Sequence, residues 1–132
     1  MYMLLPVTLS AAAAAAIINI WLSIRVGQMR GKLKVIHGDD AGGPLTRRMR
    51  AQLNFVENSP FILILVAAIE FSGKGGQWLA YVAGIYMLGR IAHGIGMDGE
   101  GPTKPRMIGT LITMLTLLGL AIVAVLILMG VM

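Results

Sequence analysis

A row of polar and charged residues opens the second apolar stretch of the chain, which reads RRMRAQLNFVENSP over residues 47–60. On an α-helix, Arg50, Asn54 and Glu57 share one face, because they stand at positions i, i+4 and i+7. The apolar run FILILVAAI follows at once. A charge near the bilayer centre costs about 2.5–3.5 kcal/mol even on the mildest scale, so such groups are normally paired or enclosed by protein. The pattern predicts a polar site that other helices surround.

The composition places the chain among membrane proteins. It has 132 residues, of which 57% are hydrophobic and 13% are charged, whereas soluble domains average about 25% charged residues. There is no Cys, so any thiolate chemistry must come from a bound molecule. The net charge of +5 does not indicate a nucleic-acid partner, because the basic residues stand in two short connections, as membrane topology explains.

Four apolar stretches are long enough to cross a hydrocarbon core of about 30 Å. They cover approximately residues 4–26, 52–71, 78–97 and 107–129. We therefore predict an all-α fold, an integral membrane four-helix bundle in a single domain over residues 1–132.

The basic residues predict the orientation of this bundle. Every Lys and Arg except Lys74 lies in or beside the first and third connections. The positive-inside rule then places these two connections in the cytoplasm and both termini on the opposite side.

Antiparallel packing would bring polar groups from all four helices to one membrane side. These residues are Arg30, Arg50, Asn54, Glu57, Arg90, His93 and Arg106. Three interpretations are open: ion pairs that tie helices together, such as Glu57 with Arg90 or Arg50; a proton or ion path; and a pocket for a small anionic ligand. The single deep carboxylate argues against a path. Several Arg side chains beside an Asn and a Glu suit a zwitterion with carboxylates and an amine.

Two weaker signals receive ordinary structural interpretations. His37 stands near Asp39 and Asp40 in a Gly-rich segment, but one His and two adjacent carboxylates are weak evidence for a metal, and we predict no metal site. The fourth span carries threonines three residues apart, which we expect to bond back to their own helix. They are Thr110, Thr113 and Thr116.

Four segments of the chain resemble one family of membrane proteins. RAQLNFVE at 50–57 matches the pattern R-A-x-x-N-x-x-E, and GQMR at 27–30, GRIAHGIGM at 89–97 and PR at 105–106 follow the family's order along the chain. The chain thus resembles a bacterial-type member of MAPEG, the membrane-associated proteins in eicosanoid and glutathione metabolism. The second-helix pattern is the most specific of the four.

This resemblance implies a homotrimer that binds glutathione between neighbouring subunits, near the cytoplasmic face. It implies that Arg106 holds the glutathione thiolate. The residues that would contact glutathione by the same resemblance are Arg30, Arg50, Asn54, Glu57 and His93, and the convergence at one membrane side adds Arg90 as a further candidate.

The chain departs from the family pattern at several site positions. Leu53 replaces a basic residue of some members, Met97 and Thr110 stand where eukaryotic enzymes place Tyr, and Met107 replaces a Ser of the prostaglandin synthases. Prostaglandin E synthesis is therefore not expected.

Two functions follow from these observations. The first is a glutathione-dependent transferase or peroxidase of the bacterial inner membrane, with periplasmic termini and a site facing the cytoplasm, acting on lipophilic electrophiles dissolved in the bilayer. The second is a non-enzymatic trimeric membrane protein that binds a lipid or a regulatory partner in the same basic groove. The missing tyrosines favour the second function, and the intact row of Arg50, Asn54 and Glu57 favours the first.

Overall fold

Four α-helices account for most of the structure, a computed structural model that describes residues 4–132. Residues 1–3 of the predicted domain lie outside the described residues. The helices are α1 (Pro6–Leu33), α2 (Pro44–Phe71), α3 (Gln77–Gly96) and α4 (Lys104–Leu128). Residues 4–132 contain no β-strand, so the prediction of an all-α fold is confirmed.

Three of the helices are long and apolar enough to cross a membrane, namely α1, α2 and α4. The remaining helix, α3, has 20 residues, but Arg90 and His93 lower its mean hydropathy, and both side chains are buried in the bundle. Large apolar side chains cover the outer surface, including Leu111, Leu115 and Ile122 on α4. An apolar exterior with its charges inside or at the two ends is the expected arrangement for a bundle in lipid. The protein is an integral membrane four-helix bundle.

The helices α1 and α2 extend beyond the predicted spans on the side of the first connection. A Pro stands in the first turn of both α1 and α2, where a missing N–H group costs nothing. The start of α2 is held by Asp40, whose carboxylate accepts hydrogen bonds from the backbone N–H groups of Leu45 at 2.9 Å and Thr46 at 2.8 Å. These bonds satisfy N–H groups that have no partner within the helix, and α2 begins at Pro44.

Close backbone contact between α3 and α4 positions the functional groups described below. A Cβ atom at Gly109 would lie 2.5 Å from the carbonyl oxygen of Gly89, which is too close for any side chain. At the end of α3, Gly96 lies directly against the backbone of Arg106. The absence of these side chains brings the start of α4 beside the last turn of α3.

Polar contacts tie the helices together at both ends of the bundle. At the end that holds connections 34–43 and 97–103, which we call the basic end, Asp98 pairs with Arg25 at 2.5 Å and with Arg48 at 3.1 Å. Desolvation alone would raise the pKa of Asp98, but hydrogen bonds from these two guanidinium groups outweigh it and lower the pKa. At the opposite end, Glu70 accepts hydrogen bonds from the backbone N–H groups of Val7 at 2.8 Å and Thr8 at 2.7 Å.

Candidate functional site

A polar cavity opens at the basic end between α2, α3 and α4. Its volume is about 220 Å³. Three helices line it with Arg50, Leu53, Asn54, Glu57, His93, Met97, Arg106 and Thr110. Five of the seven residues predicted to form the site therefore line one cavity: Arg50, Asn54, Glu57, His93 and Arg106.

Helical spacing explains why these side chains meet. Residues four apart lie on one helix face, and this spacing joins Arg50 to Asn54 on α2, His93 on α3 to Met97 directly after that helix, and Arg106 to Thr110 on α4. The first turn of α4 is fixed by Thr103, whose hydroxyl donates to the Gly96 carbonyl oxygen at 2.8 Å. That bond links the end of α3 to the start of α4, and so places Arg106 next to the His93 face.

Arg90 lies behind the cavity rather than in its lining. Its side chain is 1% exposed. The guanidinium donates to Thr113 Oγ1 at 2.7 Å and to Asn54 Oδ1 at 2.6 Å, and it lies 3.3 Å from His93 Nδ1. Arg90 thus joins α2, α3 and α4 through one buried group.

The charges of the cavity are not paired within the described chain. Over residues 4–132, the ion pairs of the structure both involve Asp98, and Glu57 pairs with neither Arg50 nor Arg90. The ion pairs between Glu57 and these arginines, which were one interpretation of the sequence, are therefore not formed. Two guanidinium groups and one carboxylate are left to face the cavity.

Comparison with known proteins identifies the family. The model of the MAPEG family matches residues 8–126. The chain belongs to the MAPEG family. Neither the curated proteins nor the solved structures with which the chain was compared match it. MAPEG members are membrane proteins, of transferase or peroxidase type in general, and generally use glutathione as a cosubstrate.

Arg30, a glutathione contact by MAPEG resemblance, lies outside the cavity. Its guanidinium donates to the carbonyl oxygens of Val35 at 3.3 Å, Ile36 at 3.4 Å and Gly38 at 2.9 Å. It lines a neighbouring groove of about 440 Å³ between α1 and α2, which Arg50 also lines. Arg50 therefore connects the groove to the cavity.

The sequence of this MAPEG chain did not predict the contacts that two residues, Thr113 and Asp98, make with other helices. Thr113 accepts a hydrogen bond from Arg90 while its own hydroxyl donates to the Gly109 carbonyl oxygen at 2.9 Å. Its spacing was a usable signal, because Arg106, Thr110 and Thr113 repeat the i, i+4, i+7 pattern of the second helix. Asp98, the anchor for Arg25 and Arg48, was the acidic residue directly after the third predicted span.

The threonines of α4 follow the prediction made for them. The hydroxyl groups of all three donate to backbone carbonyl oxygens four residues earlier. The Thr110 hydroxyl donates its hydrogen to the Arg106 carbonyl oxygen at 3.0 Å. Met97 gives this MAPEG cavity an apolar flank, and the oxygen of Thr110 is left as an acceptor.

Proposed function

We propose that the protein is a glutathione-dependent transferase or peroxidase that acts on lipophilic electrophiles in the bilayer, with Arg106 stabilising the glutathione thiolate. One observation supports the proposal most strongly. Arg106 and Arg50 line the same cavity as Asn54, Glu57 and His93, and within the described chain neither Arg has an acidic partner.

The charges of the cavity complement those of glutathione. At neutral pH glutathione carries two carboxylates, one ammonium group and a thiol. Arg50 offers a planar fork for a carboxylate, and Glu57 offers a carboxylate for the ammonium group. A chain without Cys must obtain its sulfur nucleophile from such a ligand.

The position of Arg106 suits it to hold a thiolate. A free thiol has a pKa of about 8.5, so little is ionised at neutral pH. Lowering that pKa by about two units requires about 2.7 kcal/mol of preference for the anion, and one hydrogen bond to a charged group supplies about 1.5–3 kcal/mol. Arg106 stands in the first turn of α4, where the helix dipole also favours an anion.

The transfer step would then use this thiolate directly. The sulfur lone pair forms a bond to the electrophilic carbon, and the leaving group departs with its bonding electrons. Leu53 lines the cavity and is 53% exposed, and it provides apolar surface along which a membrane-dissolved substrate would approach. Burial of apolar surface would favour such an approach.

We also propose that the protein is a homotrimer in the bacterial inner membrane, with both termini periplasmic and the cavity open to the cytoplasm. The basic residues at the cavity end support this orientation. The groove that runs from Arg50 to Arg30 supports a site shared between subunits, because it continues from the cavity onto an open face of α1 and α2.

The alternative is a non-enzymatic trimer that binds a lipid or a regulatory partner in the same basic groove. Met97 favours it, since this apolar side chain in the cavity lining offers no hydrogen bond to a ligand such as glutathione.

Product formation distinguishes the two functions. Detergent-purified protein, of a mass equal to three chains, is incubated with glutathione and a hydrophobic aryl halide, and the thioether is measured by mass spectrometry. We expect thioether above the uncatalysed background, and none with S-methylglutathione, which has no free thiol. A rate equal to background would exclude transferase activity on this substrate class, and the absence of both turnover and glutathione binding would support the alternative.

A further inference from the structure

We propose that Arg90 is a positioning residue that turns Asn54 and His93 into fixed hydrogen-bond donors toward the cavity. The ligand class that follows, an anion such as a carboxylate or thiolate, rests on the proposed function, whereas the arrangement of the donors does not.

The argument begins with the chemistry of the guanidinium group. Arg carries N–H donors and no acceptor. Every group that Arg90 contacts must therefore present an acceptor to it. Thr113 does so, because its own hydroxyl hydrogen is directed to the Gly109 carbonyl oxygen at 2.9 Å and its oxygen receives Arg90 at 2.7 Å.

The contact with Asn54 fixes the orientation of the side-chain amide. The amide has one oxygen and one NH₂ group. An NH₂ group facing the guanidinium would set donor against donor, so the oxygen lies at 2.6 Å from Arg90. Since Asn54 also lines the cavity, the NH₂ group is the part left to serve a ligand.

The contact with His93 fixes the tautomer of the imidazole. Its Nδ1 atom lies 3.3 Å from the same Arg90 nitrogen. Only an unprotonated Nδ1 accepts from that nitrogen, so the proton of the neutral ring is on Nε2. His93 lines the cavity, and its remaining polar group is a donor.

These two assignments make the polar lining of the cavity rich in donors. The donors are on Arg50, Asn54, His93 and Arg106, and the acceptors are the Glu57 carboxylate and the Thr110 oxygen. A ligand held there must offer several acceptors. The buried charge of Arg90, which is 1% exposed and has no acidic partner within residues 4–132, further favours an anion.

Nitrogen-15 NMR of the histidine ring tests the assignment without any ligand. The chain has two His residues, so His37→Gln leaves His93 as the source of the signal. We expect His93 to show an unprotonated Nδ1 and a protonated Nε2. A mixture of tautomers, or a proton on Nδ1, in this protein would overturn the proposal.

Arg90→Met removes the donors but keeps an apolar chain of similar length. In the His37→Gln background we expect His93 to lose its single tautomer. Tyr86→Phe is the matched control, because it deletes another buried bond between α2 and α3, at 2.8 Å to Ser59, without touching Asn54 or His93. If His93 still shows only the Nε2–H tautomer in a folded Arg90→Met protein, the proposal is overturned. If Arg90→Met does not fold, the nitrogen-15 spectrum of the His37→Gln protein tests the proposal by itself.

Glutathione binding separates this inference from the proposed function. We expect the Kd of Arg90→Met for glutathione to rise about tenfold, as two bonds to the ligand lose orientation. At saturating glutathione, the thiolate absorbance should be unchanged, because Arg106 is intact. A parent protein with the fixed tautomer and no glutathione binding would refute the proposed function alone. An unfixed tautomer in a protein that binds glutathione would refute this inference alone.

Discussion

At the scale of the residue, the cavity differs from an ordinary cluster of membrane charges because its charged side chains form no ion pairs within the described residues. Asp98 forms ion pairs with Arg25 and Arg48. Arg30 donates hydrogen bonds to the backbone carbonyl oxygens of residues 35, 36 and 38. Arg50, Glu57 and Arg106 remain on the cavity wall. Holding unpaired charges near a membrane is costly, which points to a bound partner for them.

Glu57 provides the first prediction at this scale. Glu57→Gln keeps the size of the side chain and removes its charge. If Glu57 holds the ammonium group of glutathione, binding should weaken by about 1.5–3 kcal/mol, the range for a hydrogen bond to a charged group. Equilibrium dialysis with labelled glutathione measures the change. Unchanged binding together with a lower unfolding temperature of the protein would mean that Glu57 serves only the structure.

At the scale of the element, sequence reasoning predicted the helices well and their contacts less well. The apolar stretches in the sequence predicted all four helices, although α3, which carries Arg90 and His93, is not among the three helices apolar enough to cross a membrane. Arg90 and His93 were both predicted at the site on one membrane side, but the sequence does not say that Arg90 points to the bundle interior while His93 reaches the cavity. Arg30 was predicted at the site because it lies near the end of its helix, on the same membrane side as the other polar groups. Its carbonyl partners depend on the turn after Leu33, which no pattern in the sequence reports.

Asp40 gives a pH-dependent prediction for the start of α2. Desolvation would raise the pKa of this carboxyl, but hydrogen bonds from the Thr46 hydroxyl and the N–H groups of Thr46 and Leu45 lower it from 3.8 to about 2. A carboxyl with a lowered folded pKa stabilises the protein fully above its unfolded pKa, and this stabilisation is lost as the pH falls toward the folded pKa. Thermal unfolding between pH 5 and pH 2 should therefore depend less on pH in Asp40→Asn than in the parent. Identical slopes in the two proteins would contradict this role for Asp40.

At the scale of the whole molecule, all the polar groups of the site lie at one end of the bundle, and large apolar side chains cover much of the outer surface of the helices. This separation suits a protein that takes a water-soluble thiol from one side and an electrophile from within the bilayer. The orientation then decides which compartment supplies the thiol. The site at the basic end should face the cytoplasm.

Single cysteines test this orientation directly, because the chain has none of its own. Gln77 and Ile36 are exposed at opposite ends of the bundle, and Gly101 has open space around a new side chain. A membrane-impermeant maleimide added to intact cells should label Gln77→Cys and leave Ile36→Cys and Gly101→Cys unlabelled until the membrane is permeabilised. The opposite pattern would reverse the orientation and with it the cytoplasmic access of glutathione.

The role of Arg106 as the group that holds a glutathione thiolate is tested most directly by ultraviolet difference absorbance of the purified protein with glutathione near neutral pH. We expect a thiolate band in the parent and in Arg47→Lys, a change at an Arg that does not line the cavity. Arg106→Lys keeps the charge but loses the planar fork. It should bind glutathione within a few-fold of the parent, lose the band, and lose about tenfold or more in turnover, equivalent to about 1.4 kcal/mol of transition-state stabilisation. A thiolate band and a turnover in Arg106→Lys equal to those of the parent would contradict this role and leave Arg106 as a membrane-surface anchor.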